Sequence, residues 1–241
     1  MGGDRLFRIL AELSSGGVTE PGTARLCEVC AYVSVMSGAG IMLMVGDVQF
    51  GSVCSSNGVS ALIEELQFTL EEGPCVDAYH QDRPVLEPDL ADPSTPRWFA
   101  FTPLAVKAGA RAIFGFPLQV GAVRLGALNL YRDRPGPLSD EQHADSLVLA
   151  GVVAWSVLAI QAQAPPGALG AELEKGVSFH FVVYQASGMV AAQLGVSEVD
   201  ALALLRSHAF GHDRSLTEVA EAVVRRQLRF DDDRPAPAPG H

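Results

Sequence analysis

The stretch Gln161-Ala-Gln-Ala-Pro165-Pro166-Gly167-Ala-Leu-Gly170 constrains this chain more than any other. Its two prolines and two glycines end one helix and cannot continue it, because proline lacks the amide donor and its ring collides with the preceding turn. A second break comes at Asp231-Asp-Asp-Arg-Pro-Ala-Pro-Ala-Pro-Gly-His241, acidic and proline-rich, which the composition predicts to be disordered. The 241 residues therefore divide into an extension 1–14, a domain 15–163, a hinge 164–172, a small domain 173–230 and a tail 231–241. With 48% hydrophobic residues the two domains can each bury a core, which excludes a disordered chain.

The first domain mixes two periods. Pro21 to Ala39 has apolar residues at helical spacing (Leu26, Cys30, Val33), as does Gly58 to Glu72, which Gly73-Pro74 breaks. Ile41–Val45 and Val48–Val53 flank the turn signal Gly46-Asp47, and 112–119 and 123–131 flank Gly121, so both pairs predict hairpins. A long helix is expected from Ser139, a suitable N-cap with Glu141 in the first turn, to about Gln163. Helices around an antiparallel sheet make an α+β domain. The second domain is helical throughout: 173–194 closed by Gly195, a helix from Ser197 to about Phe210, and a third from the capping box Ser215-Leu-Thr-Glu218 through Leu228. That is an all-α three-helix bundle.

Seventeen basic against twenty-eight acidic residues give a formal charge of −11, which argues against general nucleic-acid binding. The acid is unevenly spread. Six basic and seven acidic residues lie between Ala171 and Phe230, so the helical module is close to neutral. No signal-peptide pattern opens the chain, and the apolar run 147–160 falls short of the roughly 20 residues of a membrane span. A cytoplasmic protein with no membrane association is expected. Four cysteines are too few for a disulfide scaffold, and Cys27-x-x-Cys30 lacks the second pair a zinc site needs. Both are read as buried thiols on one helix face. Cys75 is read as a structural thiol rather than a redox-sensitive one, and the adjacent acids Glu64-Glu65 and Glu71-Glu72 as solvated. Nothing calls for a metal or a cofactor, and no catalytic constellation is present, so no enzyme is expected.

Two sets of motifs carry a resemblance. Leu70-Glu-Glu-Gly-Pro-Cys-Val-Asp-Ala-Tyr79, Pro84-Val85, Asp89-Leu90, Arg97-Trp98-Phe99, Pro117-Leu118 and Gly126-Ala-Leu-Asn-Leu-Tyr131 resemble, in order, the GAF domains of bacterial regulators. Gln185-Ala-Ser-Gly-Met189, Gly195-Val-Ser-Glu198, Leu205-Arg206, His208-Ala-Phe210, Arg214-Ser-Leu216 and Glu218–Val224 resemble the ANTAR domain, a three-helix module that binds RNA hairpins. The order of the two is similar to the cytoplasmic GAF-ANTAR antitermination regulators of actinobacteria. Three positions depart from the pattern. Ser187 stands where many ANTAR domains have lysine, Gln193 where they have arginine, and Leu202 where an aromatic residue is common.

The resemblance implies a regulator of gene expression: a dimeric sensor that responds to a small molecule or protein signal and controls an RNA-binding antiterminator. RNA-binding candidates are Arg206, His208, Arg214, Arg225, Arg226 and Tyr184. For Arg225 and Arg226, with Arg229, the competing reading is that they complement the C-terminal dipole of the last helix. Tyr184 competes with a core position. Candidates for the sensor pocket are Tyr79, His80, Trp98 and Phe101, each of which could instead be core or lid. Two alternatives stand beside this reading. One keeps the fold as a dimerisation or partner-binding protein without RNA. The other is a GAF-type methionine sulfoxide reductase, which would need a reactive cysteine and a resolving partner.

Overall fold

The structure is a computed structural model that describes residues 2–15, 23–45, 48–92, 97–163 and 171–230. The tail 231–241 and positions 164–170 of the expected hinge lie outside the described residues. The chain forms two units, Met1–Val177 and Ser178–His241.

The first unit is built on a five-stranded antiparallel sheet of order β2-β1-β5-β4-β3. Its strands are β1 (Gly38–Val45), β2 (Val48–Ser55), β3 (Val85–Glu87), β4 (Ala112–Val120) and β5 (Val123–Arg132). Alternation along the strands sorts side chains to two faces. Ala112, Phe114, Phe116 and Leu118 of β4, with Leu128 and Leu130 of β5, pack under α1 (Gly2–Ser14), α2 (Thr23–Ser34) and α6 (Asp140–Gln161). Ile113 and Tyr131 face the other way, toward α3 (Gly58–Leu70) and α5 (Phe101–Ala108), with α4 (Pro74–Gln81) packed on β4 and β5. β1 and β5 approach closely because Gly126 has no side chain. A β-carbon there would lie 1.9 Å from the Met42 carbonyl oxygen, and its φ of +155° suits glycine.

Several local expectations are corrected. The helix expected over Pro21–Ala39 stops at Ser34, where Val35 turns left-handed (φ 55°) and the chain enters β1. The extension 1–14 carries α1, whose Ile9 is fully buried in the core of this unit. Cys27 is not a free thiol on a helix face: it is bonded to Cys54, 27 residues away, and ties α2 to β2. Cys30 is free and buried. Ser139 caps α6 as its sequence predicts, accepting from Gln142 N at 3.1 Å while Gln142 Oε1 accepts from Ser139 N at 3.1 Å. By length and composition α6 resembles a membrane span, yet Leu149, Val153 and Val157 are buried against the sheet, so its apolarity serves the core.

The second unit is a bundle of α7 (Ala171–Leu194, from Ser178 on), α8 (Glu198–Gly211) and α9 (Leu216–Val224). Val183, Ala186 and Val190 of α7 are buried, as are Ala201, Leu205 and Ala209 of α8 and Leu216, Val219 and Val223 of α9. Gly195 takes the left-handed conformation (φ 67°) and its N–H donates to Ala191 O at 2.8 Å, closing α7. The third helix is shorter than its periodicity predicts. Arg226 is left-handed (φ 60°), and the amides of Gln227 and Leu228 both donate to Ala222 O.

Candidate functional site

The face of the sheet under α3 and α4 is not wholly apolar. Glu64 and Gln67, one turn apart on α3, are buried beside Cys75 of α4 and Asn129 of β5. Asn129 Nδ2 donates to Glu64 Oε1 at 2.9 Å, and the Cys75 amide donates to Gln67 Oε1 at 2.8 Å. Glu64 Oε2, Gln67 Nε2 and Asn129 Oδ1 are buried without a hydrogen bond. Glycine makes room for the carboxyl, since a β-carbon on Gly40 would lie 2.5 Å from Glu64 Oε1. Burial pushes the Glu64 carboxyl up to about 8, although the Asn129 bond opposes the shift, so at neutral pH it is mostly protonated. Glu64 is thus not the solvated acid its pairing with Glu65 suggests. The periodicity of α3 held a signal for it, because Ser60, Glu64 and Gln67 share the stripe that carries Ile63 and Phe68 inward.

The segment after position 96 is held by two carboxylates. Arg97 Nη2 and Trp98 Nε1 both donate to Asp77 Oδ2, at 3.0 and 3.2 Å, and the guanidinium lies 4.3 Å from the Trp98 ring centre. Glu72 Oε2 accepts from the amides of Ala100 and Phe101 at 2.9 and 3.0 Å, so this acid caps α5 instead of merely facing solvent. Of the pocket candidates, Phe101 is fully buried, edge-on to the half-buried Trp98. Tyr79 is buried with the Arg124 guanidinium 5.1 Å from its ring centre, and His80 is exposed. Trp98 and Phe101 come together; Tyr79 and His80 form a second pair on α4.

In the helical unit, His208 and His212 stack at 4.0 Å between ring centres, and Phe230 lies edge-on to His208 at 5.3 Å. Gln193 Oε1 accepts from the Phe230 amide at 3.2 Å. The ends of α7 and α8 and the segment after α9 therefore meet. Arg214, Arg225, Arg226 and Arg229 are exposed, and Arg225 pairs with Glu221 at 2.8 Å. Arg206 and Tyr184 are half-buried. Ser187 is buried and its hydroxyl donates to Glu198 O at 2.8 Å, tying α7 to α8. Two of the departures from the family pattern, Ser187 and Gln193, are thus used inside the bundle.

Among the described residues no group of three or more His, Cys, Asp or Glu side chains is placed to hold a metal ion. Burial pushes the free thiol of Cys30 up to about 12. It also raises that of Cys75, with the Glu64 charge adding to the effect. Neither free thiol has the lowered pKa that a thiol-dependent reductase needs.

An α+β module followed by a helical module is the class this architecture defines. The GAF domain model matches residues 24–159 and the ANTAR domain model matches residues 171–224. The chain belongs to the GAF domain family and carries an ANTAR domain after it; both are regulatory domain types. The GAF domain of a phosphoenolpyruvate-protein phosphotransferase from Acinetobacter superimposes with a TM-score of 0.50 at 15% identity, over 67% of this chain and 96% of that one. The corresponding domain from Coxiella burnetii gives 0.50 at 15% identity, over 67% and 95%. At these identities the likeness is one of fold. No curated protein matches the chain.

Proposed function

We propose that this protein is a cytoplasmic, signal-responsive antitermination regulator that works as a homodimer, its GAF domain controlling the grip of two ANTAR bundles on RNA hairpins. The observation that carries the reading is the meeting of His208, His212 and Phe230 beside the segment that bears Arg225, Arg226 and Arg229. Hairpin loops are recognised by stacking on aromatic or imidazole planes and by neutralising phosphates, and this end of the bundle supplies both. The bundle's near-neutral charge makes a single copy a weak binder, so pairing two copies is part of the reading. A gel-shift series on leader RNAs with two hairpins, one hairpin or a scrambled stem tests it. The expected order of affinity follows that order, and equal shifts for all three would sink it.

A partner-binding role without RNA is favoured by one observation. Ser187 and Gln193 stand at positions expected to be basic and are engaged inside the bundle. Charge-removing substitutions at Arg214 and Arg226 discriminate, because unchanged regulation in cells would support the partner-binding reading.

The surface for a second copy is the groove between α1 and α6, lined by Leu6, Leu10, Val148, Val152 and Trp155. Trp155 is 64% exposed there, and Phe7, elsewhere on α1, is 73% exposed.

A further inference from the structure

A cavity of about 690 Å³ opens between α1, the turn from α2 into β1, and the end of β5. It lies on the α1–α2 side of the sheet, away from Tyr79, Trp98 and Phe101, and its volume suits a small-molecule site. Apolar surface comes from Val33 and Met36, and from Tyr32, which is 72% exposed. Three arginines line it: Arg8, Arg132 and Arg134. Arg8 is engaged rather than free, since its Nη2 donates to Asp145 Oδ2 at 2.6 Å, a carboxylate it shares with Arg5.

Arg132 is different. It is only 8% exposed, its Nη2 donates at 3.3 Å to the neutral amide of Gln142, its guanidinium lies 5.6 Å from the Phe114 ring centre, and its Nε has no hydrogen bond. Among the described residues no carboxylate forms an ion pair with Arg132 or with Arg134. Burial, with Arg134 adding to it, holds the Arg132 guanidinium below the usual arginine range, and Asp133 only partly offsets this. Asp133 is itself engaged, accepting from Ser37 Oγ at 3.0 Å. A buried guanidinium is ordinarily paired, because its desolvation cost is otherwise uncompensated.

We propose that this cavity binds a small organic anion, its carboxylate or phosphate seated between Arg132 and Arg134 and its apolar or aromatic body against Tyr32, Val33 and Met36. Glu12 and Asp133, which also line the cavity, select for one or two charges and against a polyanion. The proposal deepens the sensor reading and rests on it only for the consequence of binding. Gln142 accepts from Arg132, donates to Ser34 O at 3.2 Å and closes the α6 cap. An anion that draws Arg132 off this amide removes one of the three hydrogen bonds made by the side chain that caps α6.

The test is a calorimetric titration of the full chain, without RNA, against phenyl phosphate, benzoate, benzyl alcohol and inorganic phosphate. At least one of the two aryl anions saturates the protein, and the tighter one identifies the head group. Benzyl alcohol and inorganic phosphate each bind at least about tenfold more weakly, as expected when either the charge or the ring is missing. Arg134→Ser, a change at an exposed side chain, weakens the aryl anion about tenfold, and Tyr32→Ala weakens it too, with thermal denaturation unchanged by either. Equal binding of the neutral alcohol, an anion affinity indifferent to Arg134→Ser, or no saturable binding of either aryl anion into the millimolar range would overturn the proposal. Because RNA is absent, failure of the antitermination reading leaves this result untouched.

Discussion

Glu64 is a carboxyl group with no water to ionise into, and that makes stability depend on pH. Its folded pKa is raised to about 8, so between the ordinary carboxylate range and about 8 the folded chain holds a proton that the unfolded chain has lost. Stability on this account is greatest at the acid end of that window and falls as pH rises through it. The cost is about 1.4 kcal/mol for each pH unit of difference in pKa. Thermal melts from pH 5 to 8.5 should show the midpoint falling, and Glu64→Gln should flatten the curve relative to the parent. The residues of this cluster were only partly legible in the sequence. Asn129 was visible as a letter of the Gly126–Tyr131 motif, but its partner lies 65 residues away, and no local pattern reports such a pairing. Ser187 and Gln193 show the converse. The sequence marks them as missing charges, whereas their hydrogen bonds show them holding the bundle together.

At the scale of elements, Glu72 and the Cys27–Cys54 bond each help to hold the first unit's helices in place. Glu72 caps α5 through two amides, and Glu72→Ala should lower stability by about 1–2 kcal/mol, the usual range for removal of a cap. A urea titration measures it. The Cys27–Cys54 bond closes a loop of 27 residues between α2 and β2. In the chain-entropy account its reduction costs about 3–4 kcal/mol, so dithiothreitol should shift the denaturation midpoint of the parent and leave a Cys27→Ala/Cys54→Ala variant unmoved. Most long elements were legible because they repeat a period many times, as α6 and the β4–β5 hairpin do, although the 13 residues of α1 were not read as a helix. The short ones were not. The eight residues of α4 and of α5 and the three of β3 are too few to establish a period, and tertiary packing fixes them. The disulfide joins residues that the packing of α2 against β2 brings together.

At the scale of the molecule, the charge and the apolar surface are divided between tasks. Most of the −11 lies in residues 1–170 and in the tail, which leaves the helical unit near neutral, and on the proposed reading its arginines meet RNA. The exposed apolar groove of α1 and α6 carries the pairing of copies in this account. Trp155→Glu should convert a dimer to a monomer in native mass spectrometry without changing the circular dichroism, and should weaken RNA binding with it. That a GAF domain precedes an ANTAR domain was legible because both motif sets run in order, whereas the two units part at Val177 and Ser178, beyond the expected hinge. What the domains bind was less legible, since a cavity and a bundle end are assembled from separate segments. On the proposed reading, paired bundles grip RNA. The most direct measurement is fluorescence anisotropy of a labelled two-hairpin leader RNA with the full chain over a series of salt concentrations. The account predicts binding well above that of a scrambled RNA, weakening as salt rises. Arg214→Ala or Arg226→Ala should reduce the salt slope by roughly 0.7 for each phosphate left without its cation. An affinity equal to that for scrambled RNA at every salt concentration would contradict it.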